Sequence, residues 1–167
     1  EQEIQLNIIG LVYNQTVVGT YGLVLSEATG NRRFSVMIGE PEAQSIALKL
    51  NNKKSPRPLT HDLIHNILGI FSAKLDKIVI YNMVNDVFYS ELHIRTADGV
   101  QVVDARTSDA VALAVRSDSP VFIRASILDI VGSVIDNQQE TVAEEEDAID
   151  AESLTIEDLD ALSEEDL

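Results

Sequence analysis

Asp98-Gly99-Val100-Gln101-Val102-Val103-Asp104-Ala105-Arg106-Thr107-Ser108-Asp109-Ala110-Val111-Ala112-Leu113-Ala114-Val115 is the stretch whose hydrophobic pattern decides the fold class. Asp98-Gly99 is a turn dipeptide that leads into a strand over Val100–Asp104. From Thr107 to Val115 the chain is almost entirely apolar after its first turn. A helix with so few polar positions is buried on most sides. Thr107 or Ser108 is its expected cap. One strand therefore runs straight into one buried helix.

The same alternation of periods extends outward in both directions. Ile4–Tyr13 and Tyr21–Glu27 read as strands joined through Thr16–Gly19, and Ala28–Asn31 as a second turn. Arg33–Ile38 alternates as a third strand that Gly39 ends. Over Glu40–Leu50 the period changes: Ala43, Ile46, Ala47 and Leu50 share one helical face, with Pro41 in the first turn. Asn51–Pro58 is a polar, basic loop holding Lys53, Lys54 and Arg57. Thr60 is the expected N-cap of a helix from His61 to about Ser72, with Ile64, Ile67, Leu68 and Phe71 as its buried stripe. Lys77–Tyr81 and Val87–Thr96 read as strands around an Asn85-Asp86 turn. Val121–Arg124 is a short last strand and Ile127–Val134 a short helix. The order predicts an α+β domain over residues 1–135, with a mostly antiparallel or mixed sheet and about three main helices.

The 167 residues carry a net charge of -16, distributed unevenly. Residues 140–167 hold 13 acidic side chains and no basic one, which leaves 15 acidic against 12 basic in residues 1–139. The body is near -3 and does not by itself exclude a polyanionic partner. Residues 136–167 read as an acidic, largely disordered tail. Within it Ile156, Leu159 and Leu162 recur at helical spacing behind a Thr155–Asp158 capping pattern, so a short amphipathic helix with a protein partner is expected there. No cysteine is present, which excludes thiolate chemistry and disulfides and fits a reducing, cytoplasmic compartment. No apolar run is long enough for a membrane span. The first residue is Glu1 rather than Met, so a preceding segment is expected.

Two polar junctions carry the candidate chemistry. The first is Arg57-Pro58-Leu59-Thr60-His61-Asp62. A helix N-terminus attracts anions, Arg57 and Thr60 can add phosphate contacts, and His61 with Asp62 can move a proton or bind a metal. The second is Asp104-Ala105-Arg106-Thr107-Ser108-Asp109. Asp104 and Asp109 can hold Mg²⁺ or Mn²⁺ through oxygen ligands, with Arg106 and Ser108 on the phosphate. Glu42 is a weaker third carboxylate. The plain alternative at both places is helix capping, with dipole-complementing Asp62 and an Arg106–carboxylate pair. His61-Asp62-Leu63-Ile64-His65 has the spacing of a zinc-protease helix, but its acid is one methylene short and no third ligand is evident. There is no glycine-rich phosphate loop, no nucleophile elbow and no sign of an organic cofactor.

Taken together with Ile38-Gly39-Glu40-Pro41-Glu42-Ala43 and Asp109-Ala110-Val111-Ala112-Leu113-Ala114, the two junctions resemble the bifunctional nuclease (BFN) domain family over about residues 4–132. Similar members often carry Pro after the arginine, where this chain has Thr107. The resemblance implies an α+β domain of bacterial or plastid-related origin, self-association into a homo-oligomer, and nuclease action on DNA and RNA. Leu162–Leu167 resembles the lead-in to a UVR-type helical hairpin, so a truncated or lost C-terminal segment is expected. Our chemical assignment gives His61, Asp62, Asp104 and Asp109 the catalytic roles. Arg57, Thr60, Arg106 and Ser108 bind phosphate, and Asp104 with Asp109 holds the metal. The alternative is a non-catalytic regulatory module that binds an anion or nucleotide.

Overall fold

The chain begins with three strands that pair in order: β1 (Glu3–Tyr13), β2 (Thr20–Glu27) and β3 (Arg32–Gly39). Two helices follow, α1 (Glu40–Leu50) and α2 (Thr60–Ile70). Strands β4 (Lys74–Val84), β5 (Val87–Thr96) and β6 (Gly99–Arg106) form a second meander that enters α3 (Thr107–Ser117). The last elements are β7 (Val121–Arg124), α4 (Ala125–Val131) and β8 (Ser133–Val134). The computed structural model describes residues 1–134, so the acidic tail and its amphipathic segment lie outside the described residues.

All eight strands make one sheet in the order β6-β5-β4-β7-β1-β2-β3-β8. Every pairing is antiparallel except β4 with β7. That parallel pair follows from the crossover through α3, which carries the chain from the edge strand β6 back to the centre of the sheet. The turns match their residues. Asn85 and Asp86 both take positive φ (49° and 62°), as a two-residue hairpin turn that follows the strand twist requires.

The architecture is α+β in a single domain, and α3 is its centre. It packs on α1, α2, β4 and β5. Its consecutive Ala110, Val111, Ala112, Leu113 and Ala114 are all buried, so small side chains let two helices and the sheet close on it. Beneath it lie Leu23, Leu25, Ile78, Ile80 and Ile123, fully shielded from solvent. Each such aliphatic side chain contributes about 1.5–3 kcal/mol through burial.

Four local expectations change. The segment read as a helix over Ile127–Val134 is helical only to Val131, and Ser133–Val134 pairs with β3 as a strand. Leu59, not Thr60, is the N-cap of α2, and the Asp62 carboxylate reaches back to accept the Leu59 N–H at 2.9 Å. Arg106, not Thr107 or Ser108, caps α3; the Thr107 hydroxyl instead meets Ser90 Oγ at 2.6 Å inside the core. The apolar stripe of α2 is not buried as a whole. Ile64 packs on the core, while Ile67 is 42% and Phe71 76% exposed. The cause is the position of α2 outside α3, on which it mainly packs. Among the described residues no helix is long and apolar enough to cross a membrane.

Candidate functional site

The N-termini of α1, α2 and α3 converge, and the first turns of all three helices line one small cleft of about 210 Å³. α1 contributes Pro41, Glu42 and Ser45; α2 contributes Thr60 and His61; α3 contributes Asp109, with Arg106 from its cap. His61 is the hub. Its Nδ1 lies 2.6 Å from Ser45 Oγ and its Nε2 2.8 Å from Asp109 Oδ1. The second Asp109 oxygen accepts Arg106 Nε at 2.8 Å, and Arg106 also donates to Glu42 Oε1 at 3.0 Å. One arginine thus ties α3 to α1, and one histidine ties α2 to both. The Glu42 carboxylate can lie against Gly39 because a side chain there would meet it: an added Cβ would stand 2.6 Å from Glu42 Oε2.

The electrostatics follow from these contacts. Burial works to raise the Asp109 carboxyl, but the Arg106 guanidinium and the His61 ring outweigh it and hold it below the ordinary value. The same acid pushes the Arg106 pKa up, with help from Glu42. Asp109 is therefore an acceptor only, and His61 Nε2 must be the donor. With its hydrogen on Nε2, the ring can turn an Nδ1 lone pair toward Ser45. A hydroxyl, an imidazole and a carboxylate in line are the arrangement that moves a proton from the hydroxyl toward the ring.

A second pair lies behind this cleft. Arg116 Nε donates to Asp62 Oδ1 at 2.7 Å, and its other nitrogens reach the carbonyls of Ala112 and Ser45. Burial opposes ionisation of Asp62, yet Arg116 and the Leu59 N–H keep its carboxyl below the ordinary range.

The structure brings some predicted residues together and separates others. His61, Asp109, Arg106, Thr60 and Glu42 share the cleft. Asp62 turns to Arg116 and to a neighbouring groove. Ser108 is buried and does not line the cleft. Arg57 is exposed in the loop before α2 and does not line the cleft. Asp104 is displaced most. It pairs in register with Glu91, while the next pair, Ala105 with Ser90, faces the core. Successive residues of a strand point to opposite faces, so Asp104 points away from α3, where it accepts Tyr81 Oη at 2.8 Å. The expected Asp104–Asp109 metal pair is not formed, since strand alternation puts the two carboxylates on different sides. Asp109 has both oxygens engaged, and among the described residues no group of three or more His, Asp or Glu side chains is placed to hold a metal. The residues do not fit a divalent cation in this arrangement. His65 is also separated from His61, meeting Ser117 Oγ at 3.3 Å, so the zinc-protease spacing yields no shared site.

The family model described as "Bifunctional nuclease domain" matches residues 23–136. The chain belongs to the bifunctional nuclease domain family. Two relatives from Mycobacterium tuberculosis, Uncharacterized protein MT1877 of strain CDC 1551 and Uncharacterized protein Rv1829 of strain H37Rv, are each 34% identical over 131 residues. The match spans 77% of this chain and 78% of each relative.

Two residues of this bifunctional nuclease domain escaped the sequence reading. Ser45 is a small polar residue within α1, and Arg116 stands in the last turn of α3. A usable signal existed for Arg116, because a strongly basic residue on an otherwise apolar helix needs a carboxylate partner. For Ser45 no local signal exists, since its partner is 16 residues away on another helix.

Proposed function

We propose that this domain hydrolyses phosphodiester bonds of DNA or RNA, with the His61–Asp109 pair handling the proton. The observation that supports this reading most is the line Ser45–His61–Asp109 beside the exposed guanidinium of Arg106, all in one cleft. Arg106 offers a phosphate its free edge, and Thr60 stands at the first turn of α2, where backbone N–H groups have no intrahelical partner. As the Ser45 oxygen attacks phosphorus and the P–O bond to the departing oxygen breaks, His61 Nδ1 takes the hydroxyl proton and passes it to that oxygen. Water then attacks the phosphoserine, gives its proton to His61, and the released Ser45 oxygen takes it back. Asp109 holds the ring's orientation and stabilises its charged form.

Labelled single-stranded DNA, duplex DNA and RNA would be incubated with the purified protein in Mg²⁺, in Mn²⁺ and in EDTA. Cleavage is expected to fall about 10²–10⁴-fold in His61→Ala. It is expected to fall in Asp109→Asn and Ser45→Ala as well, and to stay unchanged in Asp104→Asn. Equal cleavage by wild type, His61→Ala and Asp109→Asn would sink the assignment.

A second reading is a non-catalytic, homo-oligomeric module that binds a nucleotide or another small anion. One observation favours it: among the described residues no buried side-chain nitrogen or oxygen lacks a partner. A network satisfied in this way also serves simply to lock three helices together. Saturable nucleotide binding by calorimetry, with no turnover of any nucleic acid, would select this reading.

A further inference from the structure

A larger groove of about 630 Å³ runs behind the cleft, between the end of α1, the loop of residues 51–59 and one side of α2. Its lining includes Lys49, Lys53, Lys54, His65, Asn66 and Arg116. The loop that shapes it is held in place: Lys53 N–H donates to the Leu48 carbonyl at 2.9 Å, and the Ser55 hydroxyl donates to the Arg57 carbonyl. Arg32, Lys77, Arg95, Arg106 and Arg116 are each engaged by a carboxylate. Lys49, Lys53, Lys54 and the nearby Arg57 have no side-chain ion pair or hydrogen bond among the described residues. The only carboxylate lining the groove, Asp62, is already neutralised by Arg116. Three lysines without a carboxylate partner among the described residues therefore line one concave surface, on a body whose overall charge is slightly negative.

The groove and the cleft share Leu59 as a common wall. Successive residues of α2 serve the two sides, His61 the cleft and Asp62 and His65 the groove. We propose that this groove binds the phosphate backbone of a nucleic-acid strand and leads it across Leu59 to the His61 cleft. The proposal rests on nucleic acid as the substrate class, and it names where the strand lies outside the reacting phosphate. The lining contains no Phe, Tyr or Trp on which a base would stack, so the contact is to the backbone without regard to sequence.

The test is a salt titration of binding to a fluorescent single-stranded oligonucleotide by the full chain, in EDTA. Each lysine–phosphate contact on a single strand adds about 0.7 to the slope of log affinity against log salt. The variant K49Q/K53Q/K54Q should therefore lose about 2 from that slope and bind weakly even at low salt. K49R/K53R/K54R should bind as wild type, and so should Asp104→Asn, which lies on the other face of the sheet. Melting curves confirm that each variant is folded. An unchanged slope in the glutamine variant, or no binding by wild type, overturns the groove. Equal competition by poly-glutamate overturns the nucleic-acid assignment in favour of an acidic protein segment. Cleavage is scored separately: loss of hydrolysis in every condition with groove binding intact removes the proposed reaction and leaves the groove.

Discussion

Replacing Arg116 with methionine keeps the aliphatic stem and removes the guanidinium, which is the most deeply buried charge at the helix junction. The Arg116 side chain is 5% exposed and meets three partners: Asp62 Oδ1 at 2.7 Å, the Ala112 carbonyl at 2.9 Å and the Ser45 carbonyl at 3.2 Å. Breaking a fully buried ion pair costs about 3–5 kcal/mol, because one charge is stranded without solvent. Here the stranded carboxylate has 37% of its side chain exposed and regains water, so that figure must be discounted. The lost contact to the Ser45 carbonyl restores about 1 kcal/mol of cost. The expected destabilisation is about 2–3 kcal/mol, or a fall in Tm of roughly 6–9 °C for a domain of this size. Urea and thermal unfolding followed by circular dichroism measure it. Asp62→Asn and the double variant complete a cycle whose coupling should be about 1–2 kcal/mol. A loss under about 0.5 kcal/mol in Arg116→Met, or strict additivity in the cycle, refutes the view that this pair holds α2 against α3.

Acid sensitivity follows from the two depressed carboxylates. Asp62 and Asp109 both titrate below the ordinary value of 3.8 in the folded protein. A lowered folded pKa gives stability that is present above the unfolded value and is lost as pH falls through the folded one. Stability should therefore drop below about pH 4, and Asp62→Asn/Asp109→Asn should flatten that part of the curve; an unchanged acid limb rejects the link. On the outer side of α2, Phe71→Glu should leave urea stability within about 0.5 kcal/mol of wild type, because the ring is 76% exposed. A loss of more than about 2 kcal/mol there would mean that Phe71 is covered in solution.

Much of the fold is written locally. The alternation of β1, β3 and β5 and the helical spacing of α1 are readable because neighbouring side chains alone set those periods. The apolar run Ala110–Ala114 announces a helix covered on most sides, and the structure places it at the centre. The stripe of α2 misled for the opposite reason. Periodicity shows which residues share a face, but not whether anything packs on it. Ile67 and Phe71 share an apolar stripe with Ile64, and only the seat of α2 beyond α3 decides that Ile64 is covered and the other two are not.

The two junctions were legible as places, because a polar cluster at a strand-to-helix or loop-to-helix boundary is a local pattern. Their wiring was not. His61 meets Asp109 across 48 residues, Arg116 meets Asp62 across 54, and Arg106 meets Glu42 across 64. Asp104 and Asp109 stand five apart in the chain yet on opposite sides of the sheet, because a strand sends alternate side chains to alternate faces and the following helix starts on only one of them. The sequence by itself determined the elements, the buried helix and the pool of reactive side chains. Only the tertiary structure decided which of them touch, because helix packing brings distant residues within hydrogen-bond reach and local periodicity carries no information about that distance.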